Sequence, residues 1–341
     1  MEGEMKNLVK VWISILASLC YCHFIASKIP KGNLRLLSLL PIIVLFTIIP
    51  LFLSYVFPIG ITFLFISWLC NFKLLLFAFG QGPLSSDPPK SLLHFILAAS
   101  LPIKISQNQD YPYAKTPKLP LNWPTKVLIS AILVSLHDHK DLVSTKILLL
   151  FYSCLTYFLI DIVFGVSNAI IRAMLGLELV APSNEPYLST SLQDFWSRRW
   201  DLMVSDILRD TIYKPMRWYC GKVLGPDWAP LPAVLVAFLV SGLMHELLFF
   251  YIARVSPSWE MTSYFVLHGV CVVVELGVKR TLVGKWRLHW AVSAPLTVGF
   301  VLATAMWLFF PPLIRNGVTV RAIEECKALL DFVKNLLHKI F

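Results

Sequence analysis

This sequence predicts an all-α, polytopic transmembrane protein of about eight spans, and three observations carry that expectation. Of the 341 residues, 57% are hydrophobic and only 15% are charged, with a mean hydropathy of +0.69, a balance suited to a bilayer rather than to water. The apolar residues gather in runs close to the roughly 20 residues that cross about 30 Å of hydrocarbon. Those runs are too long and too uniformly apolar for the alternating faces of barrel strands, so the backbone must satisfy its hydrogen bonds within helices.

In chain order, the candidate spans lie near 7 to 27, 34 to 57, 59 to 79, 125 to 136, 143 to 171, 229 to 253, 259 to 278 and 290 to 314. The start, Met-Glu-Gly-Glu-Met-Lys, is mixed in charge and no small-residue cleavage pattern follows, so the first span reads as a retained anchor. Between Gln81 and Pro124 lies a proline-rich polar stretch, expected to be an irregular loop holding an interfacial helix near Ser91 to Ile103. From 315 to 341 the apolar positions Ala322, Leu329, Leu330, Phe332, Val333, Leu336 and Leu337 predict an amphipathic helix lying on the membrane. The whole chain, 1 to 341, reads as a single membrane-embedded domain.

Charge gives the second half an orientation. Lys214, Arg217 and Lys222 precede one span, while Lys279, Arg280, Lys285 and Arg287 follow the next, and both basic clusters belong on the cytosolic side. The segment 184 to 222 then lies at the cytosolic surface. The net charge of +10 fits basic cytosolic loops of a membrane protein, and nothing in the chain resembles a nucleic-acid reader. The seven cysteines lie mostly inside apolar runs and read as small buried hydrophobes.

Several chemistries fail on spacing. His245-Glu246-Leu-Leu-Phe249 has phenylalanine where a second zinc-binding histidine would stand. There is no Gly-x-Ser-x-Gly elbow and no Gly-x-x-x-x-Gly-Lys phosphate loop. What remains is a histidine deep in an apolar helix. Ionisable groups at such depth normally face a protein interior or a wet cavity. His245 is thus either a hydrogen-bonded core residue or a general base taking a proton from an alcohol, for which its near-neutral pKa suits it. Gly242, one turn earlier, would let a chain or headgroup approach the helix. Glu246 points about 100° away from His245 and reads as a structural hydrogen-bond partner or substrate contact rather than a second base.

The second candidate region is Thr190-Ser-Leu-Gln-Asp-Phe-Trp-Ser-Arg-Arg-Trp-Asp201. Thr190 with Gln193 makes a capping-box pattern. On an α-helix, Asp194, Arg198 and Asp201 share one stripe, and Trp196 and Trp200 share the next. Two readings stand side by side. One is a salt-bridged interfacial helix with an aromatic belt; the other uses Arg198 and Arg199 for phosphates and the tryptophans as walls for an acyl chain.

These motifs, together with Asn71-Phe-Lys-Leu-Leu-Leu-Phe-Ala-Phe79, Gly82-Pro-Leu-Ser85, Ser241-Gly-Leu-Met-His-Glu246, Pro257-Ser-Trp-Glu260 and Phe265-Val-Leu-His-Gly-Val-Cys271, resemble the plant wax synthases of the membrane-bound O-acyltransferase (MBOAT) superfamily over nearly the whole chain. The resemblance implies a multi-spanning enzyme of the endoplasmic reticulum that moves a fatty acyl group from acyl-CoA to a long-chain alcohol, with acyl-CoA as co-substrate and no other cofactor or metal. It implies His245 as the catalytic base and Asp201 at a position where related enzymes often carry asparagine. Trp196, Arg198, Arg199, Trp200, Gly242 and Glu246 form the expected substrate-binding set. Sterol acylation by the same mechanism remains an alternative acceptor chemistry, since members that resemble this chain acylate sterols. A non-enzymatic carrier of acyl lipids is the competing class, separated from the enzyme by whether His245→Ala abolishes ester formation or only abundance.

Overall fold

The structure, a computed structural model, describes residues 2–85, 91–101, 123–137, 143–175, 183–281 and 288–340. Fifteen α-helical segments follow in order among them: α1 Glu2–Phe24, α2 Asn33–Ile48, α3 Val56–Thr62, α4 Asn71–Ala78, α5 Leu92–Ser100, α6 Trp123–Leu136, α7 Thr145–Leu175, α8 Leu192–Asp194, α9 Leu202–Leu208, α10 Lys214–Leu224, α11 Pro230–Ala253, α12 Glu260–Thr281, α13 Trp290–Thr304, α14 Phe310–Arg315 and α15 Val318–Ile340. No strand occurs among the described residues. The chain is an all-α, polytopic integral membrane protein.

Among the described residues, seven helices are long and apolar enough to cross a membrane: Gly3–Lys28, Asn33–Phe52, Val56–Ala78, Lys146–Met174, Pro230–Ala253, Glu260–Arg280 and Trp290–Arg315. The eighth expected span, 125 to 136, falls within α6, whose 14 residues rise only about 21 Å at 1.5 Å each, short of the hydrocarbon thickness. The interfacial helix expected around 91 to 103 is α5, begun by Ser91 accepting from the His94 N–H. The irregular loop expected beyond it lies mostly outside the described residues, as do His139, Lys285 and Arg287.

The span Val56–Ala78 sits at the centre of the molecule, and it is not a uniform α-helix. Its middle, Phe63–Cys70, is wound as π-helix, with seven of its eight residues buried. This segment packs against α2, and polar side chains stitch the pair: Ser67 Oγ donates to the Phe46 carbonyl (2.6 Å) and Asn71 Nδ2 donates to the Ile43 carbonyl (3.2 Å). Polar ends are satisfied in the same way elsewhere. Arg35 is buried, donating to the carbonyls of Ser27, Ile29 and Phe77, and Lys73 closes the C-terminus of α5 through the carbonyls of Ala98 and Leu101. His137 is buried beside Tyr152, whose hydroxyl lies 3.0 Å from its Nδ1.

The amphipathic tail is a helix, but its first half does not lie on the membrane. Val318, Ile323 and Cys326 are buried in the protein. Glu325 accepts from the Val56 and Phe57 N–H groups that open α3 (2.6 and 2.9 Å), and Arg321 donates to the Ile252 carbonyl at the end of α11 (2.9 Å). Four N-terminal N–H groups and four C-terminal carbonyls of any helix lack internal partners, and α15 supplies some of those partners for two spans at once.

Candidate active site

Between these helices lies a cavity of about 660 Å³ with mostly apolar walls. It follows α11 from Pro230 to Ile252, a rise of roughly 33 Å at 1.5 Å per residue, which is the depth of a bilayer core. Arg280 marks the Pro230 end, because it also donates to the nearby Asp227 carbonyl. Arg209 and Gln193 line the same cavity. Val318, Thr319 and Ala322 of α15 line it too, beside the Ile252 end that Arg321 ties down.

His245 faces this cavity about two-thirds of the way from Pro230 to Ile252. Its Nδ1 lies 2.8 Å from the Ser241 carbonyl one turn earlier. A carbonyl only accepts, so Nδ1 carries the proton, and Nε2 of the neutral ring is left as a bare acceptor. Aromatic rings hold the imidazole from three sides: Phe265 stacked at 4.2 Å, Trp68 edge-on at 5.1 Å and Phe309 edge-on at 5.8 Å. Sequence spacing identified the histidine; it carried no signal for Trp68, which lies 177 residues upstream in another span.

Glu246 turns away from the cavity. It is 2% exposed, and its carboxylate accepts from the Trp259 N–H (2.8 Å), the Thr262 N–H (3.1 Å) and the Thr262 hydroxyl (3.2 Å), capping the start of α12. Gly242 also serves helix packing, where a substrate approach was expected: a Cβ added there would lie 3.0 Å from the Thr262 Cα and 3.2 Å from the Phe265 Cβ. The group that approaches Gly242 is the α12 backbone.

The motif segment departs from the expected continuous helix in two ways. Its cap is Ser191, whose side chain accepts from the Asp194 N–H, so the box begins one residue after Thr190; the Asp194 carboxylate reaches back to the Thr190 N–H (3.3 Å). Phe195–Arg199 then winds as π-helix, and the turn ends at Trp200 in extended backbone. The stripe Asp194, Arg198, Asp201 therefore does not form. In π register, residues five apart align: Trp200 N–H donates to the Phe195 carbonyl (2.8 Å), their rings stack, and Arg199 Nε pairs with Asp194 (2.7 Å). Arg199 is 6% exposed and also donates to the Asn184 and Glu185 carbonyls, which fixes the turn entering the motif. Arg198 is exposed. The cations on the cavity wall are Arg209 and Arg280, neither of which the motif singled out.

Trp196, Trp200 and Asp201 all line the cavity with His245. Trp196 is held by His268: the indole N–H donates to His268 Nδ1 (3.0 Å), so Nε2 carries the imidazole proton toward Thr304 Oγ1 (2.9 Å), which donates to the Phe300 carbonyl (2.8 Å). His268 is fully buried, a helix-packing residue whose effect is to orient a cavity wall. Asp201 has a left-handed backbone (φ 38°) and caps α9 by accepting from the Val204 N–H (3.1 Å). Burial pushes its carboxyl up to about 7, only partly offset by that backbone hydrogen bond. Among the described residues, no group of three or more His, Cys, Asp or Glu side chains is placed to hold a metal ion.

Residues 181–267, which contain this motif and His245, match the model of the membrane bound O-acyl transferase family. The chain is 47% identical to the long-chain-alcohol O-fatty-acyltransferase of Simmondsia chinensis, covering 98% of this chain and 97% of that one. It is 46% identical to probable long-chain-alcohol O-fatty-acyltransferase 1 of Arabidopsis thaliana, covering 98% of both. The acyl-CoA–sterol O-acyltransferase 1 of the same plant is 40% identical over 98% of this chain and 99% of its own length.

Proposed function

Because this chain belongs to the membrane-bound O-acyltransferase family and is an acyltransferase, we propose that it moves a fatty acyl group from acyl-CoA to the hydroxyl of a long-chain alcohol, giving a wax ester and free coenzyme A. The observation that carries this reading is a neutral histidine whose free Nε2 opens on an apolar cavity as deep as a bilayer. In this reading the donor enters from the Pro230 end, where Arg280 meets its phosphates, and its thioester lies beside His245. The alcohol attacks the thioester carbonyl while Nε2 takes the hydroxyl proton. The tetrahedral intermediate then expels the thiolate, which recovers that proton as the coenzyme A thiol. Trp196 and Trp200 form walls for the chain, and Asp201 shapes the ground beside the base. Acyl-CoA is a co-substrate; the enzyme works in the endoplasmic reticulum membrane.

Labelled acyl-CoA supplied with either a fatty alcohol or a sterol, to protein made in a host lacking neutral-lipid synthesis, tests the reading beside a His245→Ala control. Removing a positioned base typically costs about 10²- to 10⁴-fold in rate. Wax ester that falls by that factor in a folded His245→Ala protein is the expected result. Sterol ester alone would change the acceptor, and an unaffected variant would remove the base.

A further inference from the structure

The two ends of the cavity are unlike. At the Pro230 end stands Arg280, exposed and bound to the Asp227 carbonyl. At the Ile252 end the walls include Val56 and Phe57 of α3, Ile252 of α11, and Val318, Thr319 and Ala322 of α15. All are apolar side chains except Thr319, whose hydroxyl is hydrogen-bonded to Tyr152. The three α15 residues lie three or four apart and share one face of the helix. Val318 is 5% exposed, whereas Thr319 and Ala322 are only half-buried, so these two present open surface to the cavity they line. One turn further along that face, Glu325 accepts from the Val56 and Phe57 N–H groups (2.6 and 2.9 Å). Arg321 donates to the Ile252 carbonyl (2.9 Å). Helix α15 is thus pinned to both spans that make the rest of this end, and the pins hold it as a fixed floor.

Distances along α11 decide what reaches that floor. The helix rises roughly 22 Å from Pro230 to His245 but only roughly 10 Å from His245 to Ile252. An acyl-CoA is a linear molecule, with its phosphates at one end, the acyl chain at the other and the thioester between them. With phosphates at Arg280 and the thioester at His245, the chain continues toward Ile252. A fatty chain fills one leaflet, about half of the roughly 30 Å hydrocarbon core, and so extends roughly 15 Å, more than the roughly 10 Å of α11 that remains. We propose that the α15 floor, through Thr319 and Ala322, sets the length of acyl chain that the enzyme transfers. The inference rests on the acyl-transfer reading above and deepens it. A chain that fits packs its methyl end against this floor while the thioester sits at Nε2. A longer one is accommodated only by drawing the thioester back from His245 or by pushing α15 off its pins. The alcohol has no head to place at Arg280, so its length is not measured here.

The test raises the floor in two steps, Ala322→Val and Ala322→Phe, in the full chain in native-like membranes. Lauroyl-, palmitoyl- and stearoyl-CoA compete for one alcohol, and mass spectrometry reads the acyl and alcohol halves of each ester separately; a mixture of alcohols with one donor is the reciprocal assay. A single methylene that no longer fits discriminates by about 10- to 200-fold in kcat/KM. The stearoyl-to-lauroyl ratio is therefore expected to fall at least about 10-fold in Ala322→Phe and less in Ala322→Val, with the alcohol profile unchanged. If the phenylalanine protein does not fold, the valine protein is read alone. A wild-type acyl profile in a folded variant would overturn the proposal, and so would equal loss at every chain length, which would make Ala322 a packing residue. A shift confined to the alcohol half would overturn it too. Wild-type protein that makes no ester would instead bring down the acyl-transfer reading, so the two failures are distinguishable.

Discussion

Asp201→Asn should stabilise the protein at alkaline pH and leave it unchanged in acid. Aspartate outside the protein titrates near 3.8, and burial here lifts Asp201 to about 7. The folded state therefore holds a proton that the unfolded chain has already released between these two values. Where the folded state binds more protons, stability falls as pH rises. Below about 4 both states are protonated and the residue costs nothing; the loss accumulates up to about 7 and is complete above it. At about 1.36 kcal/mol per pKa unit, the ionised carboxyl costs the fold at most on the order of 4 kcal/mol. Asp201 faces the cavity and is only half-buried by surface area, so solvent lowers that ceiling, and we expect a gain of about 1 to 3 kcal/mol. Asparagine keeps the other duties of the position: its side-chain oxygen still accepts from the Val204 N–H, and it tolerates left-handed backbone. Thermal unfolding of wild type and Asp201→Asn in detergent at pH 5, 6, 7, 8 and 9 reads the difference directly. A gap already begun at pH 5 that widens no further than about pH 7 and then levels is expected; a gap that is constant with pH would refute the buried-carboxyl reasoning.

Removing the Glu246 carboxylate leaves three donors of the 259 to 262 turn unpaired, so Glu246→Ala should cost roughly 3 kcal/mol or more, seen as lost abundance and a lower unfolding temperature rather than a kinetic defect. Of the adjacent arginines, Arg199→Ala should be destabilising by about 1 to 3 kcal/mol because it strands the half-buried Asp194 carboxylate, while exposed Arg198→Ala should stay within about 0.5 kcal/mol; denaturation of the two variants side by side checks the contrast. Gly60 lines the cavity, and nothing lies within 4 Å of where its Cβ would be. Gly60→Leu should therefore fold and shift the ester products toward shorter chains, as read by gas chromatography.

Hydropathy made the spans legible because the bilayer imposes a length that composition reports directly; six of the seven long helices begin and end within a few residues of the expected bounds. The same counting misread 125 to 136, where an apolar run of helix-like composition is simply too short to cross. The motif was harder. Reading Asp194, Arg198 and Asp201 as one stripe assumed 3.6 residues per turn, but Phe195–Arg199 is wound with i→i+5 bonds. A trace of that register is present in the sequence: Asp194 with Arg199 and Phe195 with Trp200 are matched pairs five apart, charge with charge and ring with ring. Trp68 left no local trace as a neighbour of His245, and neither did Arg209 and Arg280 as cations of one cavity wall, because each placement exists only once distant segments pack together.

How one helix serves both chemistry and assembly follows from its geometry. On α11, Ser241 and His245 lie four residues apart and share the stripe facing the cavity, where the first fixes the tautomer of the second. Gly242 and Glu246, each one residue later, share the stripe rotated by about 100°, and both are used against α12: the glycine lets Thr262 come close, and the glutamate binds its N–H and hydroxyl. Phe265, one turn after Thr262 on α12, then reaches back to stack on His245. The contact that brings the helices together thus also supplies a face of the His245 pocket. A substitution on the assembly stripe should consequently reach the chemistry through Phe265, whereas one at His245 should leave the helix pair intact.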